Sequence, residues 1–169
     1  MGLTRLADGG APPFDSTAVS TGSAGTTRAP VPVGSRAYDS SGGEYILCRL
    51  ASTGSAVGTL HSINSSIGYG HAVVVPASTG TTGSILGAKM SPAGNTTNDY
   101  GWFQIYGPGT VLGGSTAGAA GSNLFMSTVT AGAVETASGG LAIDGLQTVS
   151  SNASSLWNVF FSHPVKQIV

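Results

Sequence analysis

Charge is what this chain has least of. Six Lys or Arg and seven Asp or Glu are spread over 169 residues, so 8% of positions are charged, against roughly 25% in an ordinary soluble domain. The net charge is −1 and the six cations are scattered. They cannot form the basic stripe that displaces counterions from a phosphate backbone, which argues against nucleic acid as a partner. The same scarcity argues against an anionic membrane surface. No run approaches the 18 or so apolar residues of a membrane span. The start, Met1 to Asp8, lacks the apolar core of a signal peptide, and Leu6 stands where N-myristoylation after Gly2 wants Ser or Thr. Cys48 is the one cysteine, so an intramolecular disulfide framework is excluded. These absences lead us to expect a chain made and kept in a cytosol, at least until it assembles.

What is present is small and weakly polar. Gly, Ser, Thr and Ala together fill more than half of the positions. A free soluble monomer usually carries about 25–35% charged residues on its surface, and thirteen charges fall far short of that. Subunits that bury much of their surface against neighbours need fewer. A secreted Ser/Thr-rich protein kept soluble by hydroxyls and glycans is the alternative, and assembly is the preferred reading.

Residues 1–43 read as an extended arm. Pro12, Pro13, Pro30 and Pro32 interrupt it, and Ser16 to Thr27 offers almost nothing to pack. Proline favours extended, unpaired backbone, and so little apolar surface cannot offset the entropy of ordering. From Glu44 to Val169 the pattern changes to strand-sized runs separated by Gly, Ser, Asn and Pro. The runs are Glu44 to Leu50, Val57 to Ile63, Gly68 to Val75, Ser84 to Met90, Tyr100 to Tyr106, Thr110 to Leu112, Asn123 to Val129, Ala133 to Thr136, Leu141 to Val149 and Leu156 to Ser162. Alternation within Tyr100 to Tyr106 sets Trp102, Gln104 and Tyr106 on one face, and Phe103 and Ile105 on the other. Gly107-Pro108-Gly109 reads as a tight turn closing that strand. Strands every 8–12 residues with turn signals between them predict an all-β fold, a compact antiparallel β-barrel or β-sandwich preceded by the arm. No stretch has helical periodicity, and no short repeat recurs to suggest a β-helix.

The chemistry-bearing residues do not form a catalytic pattern. A serine nucleophile needs a His base and an orienting acid; three His (His61, His71, His163) and three acids after Glu44 (Asp99, Glu135, Asp144) are available, without a Gly-x-Ser-x-Gly elbow. Nothing in the spacing of those acids pairs two carboxylates for glycoside hydrolysis. His61 and His71 fall on neighbouring strands, but a metal site wants a third protein ligand, and local hydrogen bonding is the preferred role. Pro164 after His163 reads as a strand end. Neither Gly68-Tyr69-Gly70 nor Gly107-Pro108-Gly109 completes a dinucleotide fingerprint. Sequons at Asn64, Asn95 and Asn152 are expected by chance in so Ser/Thr-rich a chain. Cys48 reads as a small buried hydrophobe. Accordingly no enzyme activity, catalytic residue, cofactor or metal is expected. The aromatics Tyr100, Trp102, Tyr106 and Trp157, with Phe160 and Phe161, cluster in two strands. Their preferred role is core or interface packing; the alternative is a platform of Trp102, Tyr106 and Trp157 that stacks on sugars.

Ser84-Ile85-Leu86-Gly87-Ala88-Lys89-Met90, a polar loop, and then Tyr100-Gly101-Trp102-Phe103-Gln104-Ile105-Tyr106-Gly107 carry a resemblance. An Ile-Gly-x-Ala-type strand before a Tyr-Gly-Trp-x-Gln strand resembles the decoration, or cement, proteins of tailed-bacteriophage capsids. Val111-Leu112, Leu124-Phe125-Met126 and Thr130 to Val134 continue the likeness, which spans roughly 84–165. The Ser/Thr-heavy loop Ser78 to Gly83 and the long arm depart from it. The resemblance implies a virion protein on the capsid surface that bridges subunits of the major capsid protein, without catalysis, often as a homotrimer. A glycan-binding head fibre or tail adhesin is the second expectation.

Overall fold

The computed structural model describes residues 33–50, 56–64, 73–76, 85–90, 100–114, 118–137, 139–151 and 155–166. It is all-β. Ten strands follow in chain order: β1 (Arg36–Tyr38), β2 (Glu44–Leu50), β3 (Leu60–Asn64), β4 (Val73–Pro76), β5 (Ile85–Lys89), β6 (Tyr100–Leu112), β7 (Asn123–Met126), β8 (Val134–Glu135), β9 (Ala142–Thr148) and β10 (Leu156–Lys166). They form one sheet in the order β1-β2-β4-β3-β5-β6-β10-β9-β7-β8. Every neighbour pair is antiparallel except β2 with β4. The end strands β1 and β8 keep the whole sheet from closing into a barrel, and its packing is compatible with the sandwich alternative. Additional pairings of β2 with β6 and of β5 with β10 curl the first half round on itself.

Most of the expected runs are strands, with two differences. The segment read as an arm ends in structure: Arg36–Tyr38 is β1, paired antiparallel to β2 through Arg36–Ile46, Ala37–Tyr45 and Tyr38–Glu44. The turn between them is held by Asp39, whose Oδ1 accepts the backbone N–H of Ser41 and of Gly43 at 2.8 Å each. This is the way a short carboxylate closes a turn on its own backbone. The first 32 residues of the arm, His71, Asp99, Gly68 to Gly70, Asn95, Asn152 and the loop 78–83 lie outside the described residues.

The second difference is that Gly107-Pro108-Gly109 does not end a strand. β6 runs through it for 13 residues. Its first half pairs with β2 and β5, and its second half, from Tyr106, pairs with β10. Gly107 sits at φ 89°, a conformation that glycine adopts at little cost, and a Cβ there would lie 2.7 Å from the carbonyl oxygen of Gly42. The Gln104 side chain spans the bend, its Nε2 donating to the carbonyls of Tyr106 (3.1 Å) and Pro108 (2.7 Å). A turn-like sequence thus becomes a bend inside one strand, because β10 supplies hydrogen-bond partners on the far side of it.

The expected alternation of β6 is kept, and both its faces are covered. Phe103 and Ile105 pack with Cys48, Leu50 and Ile63 inside the curled half. Trp102 packs on the other side with Ala37, Tyr45 and Leu47. The largest cluster joins the two halves: Leu60, Leu86 and Ala88 from β3 and β5 meet Val111, Leu124, Met126, Val134, Ile143, Leu146, Trp157, Val159 and Phe161. Burial of this many large apolar side chains, each worth about 1.5–3 kcal/mol, couples the halves into one unit.

Candidate functional site

The four aromatics singled out from the sequence do not make one row. Trp102 and Trp157 are buried, and they belong to different clusters. Tyr100 is half-buried against the Trp102 cluster. Tyr106 alone of the four is exposed, at 38%. A stacking platform of Trp102, Tyr106 and Trp157 is therefore not present on the surface. Trp157 is lodged so closely that a Cβ on Gly113 would overlap its indole, and one on Gly118 would come within 3.1 Å of it. Both tryptophans serve the core.

The structure instead gathers a cluster at the bend of β6, where β2 and β10 meet it. Tyr106 stands opposite Glu44 of β2 on one side and Ser162 of β10 on the other. Glu44 is 7% exposed. Its Oε1 accepts from Arg36 Nη1 and, at 3.3 Å, from the hydroxyl of Tyr38. Its Oε2 lies 3.1 Å from His163 Nε2. Burial alone pushes the Glu44 carboxyl up; the hydrogen bonds from Arg36 and His163, with their charges, outweigh it and hold the group below the usual carboxylate range. The same contact raises Arg36. The side chains of Arg36 and His163 remain 50% and 52% exposed.

His163 has a backbone that explains its reach. Its φ is 50°, and among the described residues it is the one non-glycine with positive φ. It falls in the irregular stretch of the β10–β9 register between Phe161 and Val165, where a bulge re-aims a side chain. The imidazole is carried over Tyr106, with ring centroids 5.3 Å apart and planes at 33°. Phe160, 40% exposed, also meets Tyr106, edge-on at 5.6 Å. The sequence expectation that Pro164 simply ends a strand is not what happens: β10 continues to Lys166.

Beside this cluster runs an outward face of different character. Thr110 and Leu112 of β6 stand opposite Asn158 and Leu156 of β10, and Val149, 54% exposed, follows β9 and hydrogen-bonds to Asn158. None of these five residues carries charge.

The other candidates are placed as follows. His61 is buried, its Nδ1 2.9 Å from the carbonyl of Thr59 and its ring edge-on to Phe103 at 5.0 Å. Burial pushes its pKa down to about 4; Lys89 adds to this and the Thr59 carbonyl opposes it. Glu135 accepts a 2.5 Å hydrogen bond from Ser127 Oγ, which itself receives the N–H groups of Val129 and Thr130, so both serve a turn. Asp144 is exposed on β9. Glu135 and Asp144 stand on different strands, β8 and β9. Cys48 is buried, and burial pushes its thiol up. Among the described residues no group of three His, Cys, Asp or Glu comes together as a metal site, and no helix is long and apolar enough to cross a membrane.

Sequence reasoning missed Arg36, Tyr38, Glu44, Phe160 and His163 as a group. The hairpin part was within reach: Arg36 and Tyr38 alternate on one face, and a turn at Asp39 to Gly43 puts Glu44 across from them. His163 joins only through tertiary structure.

What these features define is an all-β protein with a tied carboxylate at a strand junction. No protein-family model matches the chain, and no curated protein matches it.

Proposed function

We propose that this chain is a virion structural protein, a capsid decoration or cement protein that attaches to a phage head and bridges subunits of its major capsid protein. It acts without catalysis, in the form of a homotrimer. The observation that carries this reading is the uncharged outward face of Leu112, Leu156, Val149, Thr110 and Asn158, on a chain with only thirteen charges. Such a face gains by being covered and pays no charge desolvation when it is. Closed three-fold symmetry covers it without polymerising and suits the local three-fold positions of an icosahedral shell. Burial of Trp102 and Trp157 supports this reading over an adhesin that stacks sugars on them.

Counting copies in purified virions tests the proposal. Hundreds per particle, retained through a wash at about 1 M salt because the contact is apolar rather than ionic, is the expected result. A few copies per particle, or release by salt alone, overturns it. Sedimentation equilibrium checks the trimer, and a concentration-independent monomer at micromolar concentration sinks it. Replacing Val149 and Leu156 together by Lys should leave the fold intact and weaken attachment. The arm is tested by a deletion that stops before Gly34, since a longer one removes β1.

A further inference from the structure

We infer that the cluster of Arg36, Tyr38, Tyr106, Phe160 and His163 around Glu44 is a binding site for a neutral saccharide. This goes beyond attachment to a head and does not rest on it.

Three features carry the inference. The first is convergence. A chain with thirteen charges over 169 residues brings Arg36 of β1, Glu44 of β2 and His163 of β10 into contact at a point where three aromatic side chains are also exposed: Tyr38 at 63%, Tyr106 at 38% and Phe160 at 40%. The second is construction. Glu44 is nearly buried and engaged by Arg36, Tyr38 and His163, so it fixes the directions of side chains whose outer parts face solvent. His163 is held at φ 50°, a conformation that costs non-glycine residues energy and persists where surroundings enforce it. The third is charge. While the His163 imidazole is neutral, Arg36 is balanced by Glu44, so the site has no excess cation to attract a phosphate or an acidic sugar.

What remains is an aromatic surface with hydrogen-bonding groups at its rim, the guanidinium among them offset by Glu44. Glu44 takes up only part of the five-donor fork of Arg36; Tyr38 offers a hydroxyl and His163 its Nδ1. A pyranose presents the matching chemistry: an apolar face of C–H groups to stack on Tyr106 or on Phe160, whose rings stand at 76° to each other, and equatorial hydroxyls for planar donors and acceptors at the edge. The site adjoins the uncharged face but is distinct from it. Leu156 and His163 are seven residues apart along β10, about 23 Å in an extended strand.

The test is titration of the full-length chain with neutral hexasaccharides of glucose, mannose, galactose and N-acetylglucosamine, and with sialylated and phosphorylated oligosaccharides in parallel, followed by calorimetry and by the ring proton resonances of Tyr106 and Phe160. At least one neutral sugar should bind and shift those resonances. Tyr106→Ala and Phe160→Ser, with unchanged circular dichroism, should each weaken binding by about tenfold or more. His163→Gly relieves the backbone strain but also removes the contacts to Glu44 and Tyr106, so the two effects on thermal stability oppose each other, while binding should weaken. No binding of any neutral sugar up to millimolar concentration overturns the inference. So does preference for the charged sugars, or binding that Tyr106→Ala leaves unchanged. Head attachment by the Tyr106→Ala variant should stay as it is, which separates failure of this site from failure of the decoration reading.

Discussion

Glu44 and His163 are 119 residues apart in sequence and 3.1 Å apart in the folded chain, Oε2 to Nε2. The contact ties the start of β2 to the end of β10 across Tyr106 of β6, and so links the first and last thirds of the chain. Hydrogen bonds to a charged group contribute about 1.5–3 kcal/mol when sheltered, and the half exposure of Arg36 and His163 lowers that through solvent screening. Glu44→Gln should therefore cost about 1 kcal/mol in urea unfolding. A double-mutant cycle with His163→Gln should return a coupling of at least about 0.5 kcal/mol. Strict additivity would show that the two side chains touch without interacting.

Acid stability has a sign set by His61. Its folded pKa, about 4, lies below the unfolded value of 6.5, so the folded state binds fewer protons between these two values. Stability is then full above pH 6.5, falls as pH drops through that window, and levels below 4. The loss approaches roughly 3 kcal/mol. Glu44, also depressed, acts in the same direction but only below the ordinary carboxylate range. Urea midpoints at pH 7 and pH 4.5 should differ in the wild type and differ much less in His61→Gln. Equal slopes in the two proteins would refute the assignment to His61.

Trp157 and Gly113 test the core. Trp157→Ala empties a site in the cluster that joins the two halves, and should cost about 3–5 kcal/mol. Gly113→Ala adds a methyl where the indole already lies, and overpacking of this kind costs about 1–3 kcal/mol. Thermal melts should rank wild type above Gly113→Ala above Trp157→Ala. A Gly113→Ala protein as stable as the wild type would mean that the indole can move aside freely.

The bend of β6 yields a backbone test. Gly107→Ala meets both a left-handed φ and the Gly42 carbonyl, and should cost more than 1 kcal/mol. Gln104→Leu frees the carbonyls of Tyr106 and Pro108 from their donor and should cost about 1–3 kcal/mol. Both variants should also loosen the Tyr106 ring against His163, visible as narrowed chemical-shift dispersion of those two rings. Unchanged unfolding midpoints in both would show that β10 alone holds the bend.

The all-β class could be read from the chain because period-two alternation and turn residues are local properties. Tyr100 to Ile105 alternates in sequence and alternates between two cores in the fold. Cys48 as a buried small residue, and His61 as a locally bonded one, were legible for the same reason. Three things were not. Gly107-Pro108-Gly109 has turn chemistry, yet whether a chain reverses there depends on what pairs beyond it, and β10 is about fifty residues further on. β1 was assigned to the arm because three residues are too few to show a period; its strand character comes from β2 beside it. The site was the least legible of all. Sequence placed its interest in Trp102 and Trp157, which large apolar area draws into the interior. Glu44 and His163 carry no motif, and only the junction of β2, β6 and β10 brings them together. Local patterning determined which segments are strands and which side chains are apolar enough to bury. The order of strands decided which polar groups share a surface, since that depends on pairings between residues up to eighty positions apart.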